Sequence, residues 1–319
     1  MELEVPRNLA KMQIAHLIKF AESFKGIEVH LYLNSKYVKL NYSDDQFIDI
    51  LRKLQQKEVK EVFLHLEDCK KIMNRVQESM SAQTFYDPKT LDEQRVESTE
   101  AAMKVVKNLI HQLGVDSETI KLLTTINGRA MSLLSESPTL HAFIKRFKKN
   151  CSEEFLRTIL TSYLMSLVID KFPWKSDPVK EKGALASILC DMLLEKEDFA
   201  LIREWEKNGT ELPERIRRHP LDVVAHLNLK RGIVPSETLT IIEQHHELPD
   251  GKGFPVGINS SRFNQLSCIF IITQQFIEQL FEANFDFDKR LDILNRLQKK
   301  YPTKNFEKAL DALITVVDT

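Results

Sequence analysis

Apolar and polar positions divide the chain into a short first part with strand-like alternation and a long remainder with helical spacing. Residues Ile27 to Leu33 alternate, Asn34-Ser35 supplies a two-residue turn, and Lys36 to Tyr42 alternates back, which predicts a β-hairpin. Asp44 or Asp45 then stands where a helix cap is needed, ahead of Phe47, Ile48, Ile50, Leu51 and Leu54 on one face. Val59 to Leu66 reads as a further strand, and a helix follows from Glu67. Residues 1–84 are therefore expected to form a small α+β domain with a sensory or interaction role. His30 and His65 fall singly in its strands and read as structural residues.

The polar stretch Ser81 to Lys89, with Pro88, interrupts the periodicity. Beyond it helices are predicted over about 91–114, 117–135 and 138–149, the first carrying Ala101, Val105 and Leu109 at helical spacing. Residues 85–150 read as a helical connector, suited to transmitting a signal or to pairing two copies as a homodimer, although no heptad runs long enough for a coiled coil. The remainder, 151–319, is a helical domain, and the chain as a whole is mainly α. The apolar run Leu266 to Ile272 is far short of the roughly 20 residues a membrane span needs. Basic and acidic residues balance at 45 and 46, so bulk charge supports neither a nucleic-acid nor a membrane-surface partner. Met1 to Arg7 lacks the basic start and apolar core of a signal peptide. Cys69, Cys151, Cys190 and Cys268 stand apart without a CxxC pair, against a zinc ribbon or a disulfide framework. The expectation is a cytoplasmic protein.

Candidate chemistry concentrates in His245-His246-Glu247-Leu248-Pro249-Asp250-Gly251-Lys252-Gly253-Phe254-Pro255. Imidazole is the commonest metal ligand near neutral pH, and the glycines allow backbone to approach an anion closely. Taken alone, the histidines are equally a polar end to the helix over Ser236 to Gln244. Two upstream residues weigh toward a site: His219, in Arg217-Arg218-His219-Pro220, and Asp191, in Ile188-Leu189-Cys190-Asp191-Met192-Leu193.

From about Ser152 to Phe281 these elements resemble an HD-GYP domain, the cyclic-di-GMP phosphodiesterase branch of the HD superfamily, whose tail motif reads HHE-x-x-DG-x-GYP. Here Phe254 replaces the tyrosine, and the separations of 29 residues from Cys190 to His219 and 26 from His219 to His245 suit a gapless alignment. The resemblance implies a helical bundle with two metal ions, usually iron or manganese, that activate water toward a phosphodiester. Asp191, His219, His245 and His246 match the ligands of the second metal. Three of the first metal's ligands are lost, the HD aspartate being kept as Asp191: the register places Thr158 at the early histidine, Cys190 at the HD histidine and Gln274 at the late aspartate. Leu194 replaces a lysine thought to assist with phosphate.

The retained set is complete for one iron, manganese or zinc ion per chain. Cys190 is either a thiolate ligand or, among apolar neighbours, a small hydrophobe. Glu153, Glu154 and Glu278 are carboxylates available to replace lost ligands. The loop Asp250, Gly251, Lys252, Gly253, Phe254 and Pro255 is the candidate substrate or partner segment. Lys252, Arg262, Arg217 and Arg218 are basic residues open to phosphate contact or to plain solvation. The expected function is a degenerate HD-GYP signalling protein with weak or no phosphodiesterase activity, binding cyclic-di-GMP or a protein such as a diguanylate cyclase domain. An active one-metal phosphodiesterase is the alternative.

Overall fold

The computed structural model describes residues 6, 8–19, 25–81, 92–136, 139–229 and 232–317. Most of the predicted interruption at Ser81 to Lys89, and the first residues weighed for a signal peptide, lie outside these. The chain forms two compact units, 1–129 and 130–319. The predicted 85–150 connector is thus shared between them.

In the first unit, strands β1 (Leu9–Gln13), β2 (Val29–Leu33), β3 (Lys36–Lys39) and β4 (Glu61–His65) form an antiparallel sheet in the order β1-β4-β2-β3. The β2-β3 hairpin turns at Asn34 and Ser35, whose φ values of 49° and 62° are the left-handed geometry that a tight two-residue hairpin requires. Around the sheet lie α1 (Ile14–Lys19), α2 (Phe47–Gln56), α3 (Leu66–Ser81) and α4 (Asp92–Leu113). The predicted capping of α2 by Asp44 or Asp45 is not what forms: Asp44–Gln46 make a 3-10 turn, and the Asp44 carboxylate accepts from the Gly26 amide at 2.9 Å. A short acidic side chain finds a nearby orphan amide more readily than the cap geometry. In α4 the face with Ala101, Val105 and Leu109 is buried as its spacing predicts. Strand β1 and helix α1 carried no sequence signal that was read as such.

Helix α5 (Ser117–Ser135) spans the division between the units. The second unit continues with α6 (Leu140–Phe147), α7 (Glu153–Ile169), α8 (Asp177–Leu189), α9 (Asp198–Asn208), α10 (Glu214–Leu227), α11 (Ser236–Gln244), α12 (Gln265–Glu282), α13 (Arg290–Lys300) and α14 (Lys304–Val317). Its axis is α12, which packs against α7, α11, α13 and α14. Cys268, Ile269, Phe270, Ile271, Ile272, Phe276, Ile277 and Leu280 of α12 are all buried, as a helix that is apolar around most of its circumference requires. Two caps fix where the central helices begin: the Ser152 hydroxyl accepts from the Phe155 amide, and the Asn264 side chain accepts from the Ser267 amide at 2.7 Å. Among the described residues no helix is long and apolar enough to cross a membrane.

The helix that carries His219 is held by a buried carboxylate. Asp198, fully buried at the start of α9, takes both amino groups of Arg215 in α10 and accepts the Glu195 amide at 3.0 Å. Replacing Asp198 with Ala strands that amide and removes the tie between α9 and α10. The expected cost is about 2 kcal/mol, at the low end for a charge-assisted pair because Arg215 is exposed enough to rehydrate. Urea unfolding of the variant checks it.

Candidate metal centre

Proline 220 interrupts the hydrogen-bond ladder of α10, because its nitrogen cannot donate to the carbonyl of Ile216. That carbonyl is taken instead by Nδ1 of the preceding His219, at 2.7 Å. The His-Pro pair is therefore one device: proline frees the acceptor and histidine uses it. At the end of α11, where terminal carbonyls lack helical donors, the Ile242 carbonyl receives Nδ1 of His245 at 2.6 Å.

A carbonyl only accepts, so both imidazoles carry their Nδ1 proton toward the backbone and turn Nε2 inward. The two Nε2 atoms stand 3.3 Å apart. Oδ1 of Asp191, in the turn just after α8, lies 3.4 Å from the Nε2 of His219 and 3.3 Å from that of His245. His246 completes the group, its Nε2 4.0 Å from the same oxygen and buried with no hydrogen-bond partner among the described residues. One ligand atom from each of the four lies within 4.8 Å of the others. Four acceptors facing one another need positive charge between them, as protons or as a metal ion. Burial works against ionisation of Asp191, but the His219 and His245 rings, once they carry a proton on Nε2, prevail and hold its carboxyl well below the usual carboxylate range. Burial, reinforced by His245 and His219, drives His246 far below the ordinary imidazole value, which leaves a neutral ring with a free lone pair. The donor set of three imidazoles and a carboxylate fits a divalent transition metal.

The loop after the histidines is organised by Glu247, a residue whose role the sequence reading missed. Its buried carboxylate accepts from the amides of Val256 (2.7 Å), Gly257 (3.0 Å) and Ile258 (3.0 Å), curling the loop around it. Its place beside the histidine pair was the available signal. Gly253 passes so close that a Cβ there would sit 2.3 Å from the Leu248 nitrogen. Phe254 is 2% exposed. Its ring stacks on His246 at 4.5 Å, meets Trp205 edge-on at 4.9 Å, and packs with Ile202, Leu212, Ile216 and Leu194. Of the candidate contact segment, Phe254 thus faces inward, while Asp250 and Lys252 are exposed.

No protein-family model matches the chain, and no curated protein is similar to it at a significant level. Among solved structures, Bd1817, an HDG"Y"P protein from Bdellovibrio bacteriovorus, matches over 98% of this chain and 100% of its own, with a TM-score of 0.57 and 13% identity. The fold is that of an HD-GYP protein.

The side of Asp191 facing α7 and α12 carries Thr158 and Gln274, the positions where the sequence register expected ligands of a first metal. The Thr158 hydroxyl turns back to the Glu154 carbonyl at 3.0 Å, and its neighbour Arg157 lines the space instead. Gln274 also lines it, with Oε1 buried and unpartnered among the described residues. Cys190 is buried with its sulfur toward the Ser187 carbonyl, and is outside the four-atom group. Leu194 packs in the Phe254 cluster. Of the candidate replacement carboxylates, Glu278 lines the space and Glu153 and Glu154 do not. Glu278 is 2.7 Å from Arg157, whose guanidinium also lies 4.7 Å from the Phe281 ring. The cavity left among these groups is about 20 Å³, room for about one water. A second cavity of about 320 Å³ brings Arg217 and Lys252 together beside Trp205, Thr210 and Gly253. Arg218 instead pairs with Asp222 at 3.6 Å, and Arg262 lies in the 3-10 turn after the loop.

Two outcomes follow from this geometry. Gly253→Ala forces backbone apart at the loop that carries His246, costing about 1–3 kcal/mol as overpacking does, with faster loss of bound metal to a chelator. Thermal unfolding and metal-release rates check both effects. Burial, with Glu206 and Asp191 adding to it and Arg157 opposing, pushes the Glu278 carboxyl from its ordinary 4.5 up to about 7. A folded value above the unfolded one gives stability that is full below pH 4.5 and lost as pH rises through 7. Metal-free protein should lose roughly 2–3 kcal/mol across that window. Glu278→Gln should flatten the dependence in chemical denaturation at a series of pH values.

Proposed function

We propose that the protein is a degenerate HD-GYP signalling protein of the cytoplasm that holds one divalent metal at Asp191, His219, His245 and His246 and binds cyclic-di-GMP with weak or no hydrolysis. The observation that carries the reading is the Arg157–Glu278 pair beside Gln274, on the flank of Asp191 where a second ion would need ligands. A guanidinium is charged at all working pH values, so it repels a second cation and offers no coordination to water. Bound metal supplies Lewis-acid polarisation of a phosphoryl oxygen.

The chain's own residues do the rest. His219 and His245, pinned by backbone carbonyls, hold their lone pairs in fixed directions, and Asp191 neutralises charge between them. Arg157 and Arg203 line the small cavity and keep the flank of Asp191 cationic. Arg217 and Lys252 give a second basic surface at the loop, and that loop is the proposed contact for a protein partner such as a diguanylate cyclase domain. Residues 1–84 serve as the sensory domain and 85–150 as the connector, with a homodimer as the proposed assembly.

The test uses protein purified anaerobically and supplied with iron or manganese. One ion per chain should be lost on His245→Ala, and cyclic-di-GMP should bind the unmodified protein without measurable turnover. Turnover that disappears in His245→Ala would establish a working one-metal phosphodiesterase instead. Loss of two ions with that substitution would overturn the single-metal reading.

A further inference from the structure

His30 and His65, read from the sequence as isolated strand residues, are brought together by the sheet. Strands β2 and β4 pair with Val29 opposite Leu64 and His30 opposite Phe63. That register sets Glu28 across from His65, and strand alternation puts His30 on the same face as Glu28. One ligand atom from each of the three lies within 4.8 Å of the others. His65 Nε2 is 3.8 Å from a Glu28 oxygen, and the two imidazoles meet edge-on at 5.0 Å. Nδ1 of His30 is buried without a hydrogen-bond partner among the described residues, a state that carries a desolvation cost.

We propose that Glu28, His30 and His65 form a binding site for one divalent transition-metal ion of the zinc class, separate from the cluster in the helical unit. Two imidazoles and one carboxylate are a recurrent three-ligand zinc set that leaves one tetrahedral position open to solvent. The imidazoles select against magnesium and calcium, which take oxygen donors. The only rival for Glu28 among its described contacts is Lys39, on β3 opposite His30, which pairs with the carboxylate. Both partners of that pair are about half exposed, and such surface pairs are weak, so a divalent ion displaces the ammonium. Glu28 and His65 are open to solvent, which gives the ion a route in. Occupancy clips β2 to the end of β4, and α3 begins at the next residue, Leu66. The N-terminal unit thereby gains a small-ion signal to sense.

The test uses full-length protein carrying His245→Ala and His246→Ala, so that the helical-unit cluster does not contribute. Calorimetric titration with zinc should find one remaining site per chain, and cobalt should give the visible absorption of a four-coordinate ion. Adding His65→Gln or His30→Gln should weaken zinc binding at least about tenfold, the scale on which even outer-shell changes act. No zinc uptake by a double variant with native circular dichroism, or uptake indifferent to His30 and His65, would overturn the proposal. If the double variant does not fold, paramagnetic resonance of copper titrated into unmodified protein replaces it. A second copper signal coupled to two nitrogens and lost in His65→Gln supports the site; its absence overturns it.

Discussion

Three imidazole nitrogens and a carboxylate oxygen turned toward one another in a buried place repel unless positive charge sits among them. Much of the helical unit serves that constraint. The ends of α8 and α11 and the proline-interrupted turn of α10 deliver Asp191, His245 and His219 to one point, with α12 packed behind α11. The orientation of the rings costs the fold little. Each uses a carbonyl that helix geometry had already left without a donor, at a proline in one case and a helix end in the other.

The side of the centre toward α7 and α12 solves its electrostatics differently. There the Arg157 guanidinium, 2.7 Å from the Glu278 carboxyl, fills space next to Asp191, and Gln274 contributes a neutral amide. A guanidinium balances nearby carboxylates permanently, whereas a metal ion would also bind and acidify water. On the proposed reading, a cation of the chain stands where a second ion would need ligands, so one held metal and a weakened activity are compatible in one site.

The loop is held by a single buried carboxylate. Glu247 collects the amides of Val256, Gly257 and Ile258, and Gly253 threads against its backbone. Phe254 then closes the back of the centre, stacked on His246 and edge-on to Trp205. In that position an aromatic ring is needed for packing and its hydroxyl is not, so the phenylalanine is compatible with an intact loop.

Local patterns in the sequence were enough for the hairpin at Asn34-Ser35, the helices over 92–113, 117–135 and 140–147, and the residue types of the four-ligand set, because each depends on short-range periodicity or on a motif with its own chemistry. The pairing of Arg157 with Glu278 and the capture of three loop amides by Glu247 were out of reach, since each acts on groups that only chain reversal brings near. The strand register decided that Glu28, His30 and His65 share a face, although 35 residues separate the two histidines in the chain. Sequence determined which donors exist; tertiary structure decided which of them converge, because coordination and charge pairing depend on distances that spacing along a chain does not encode.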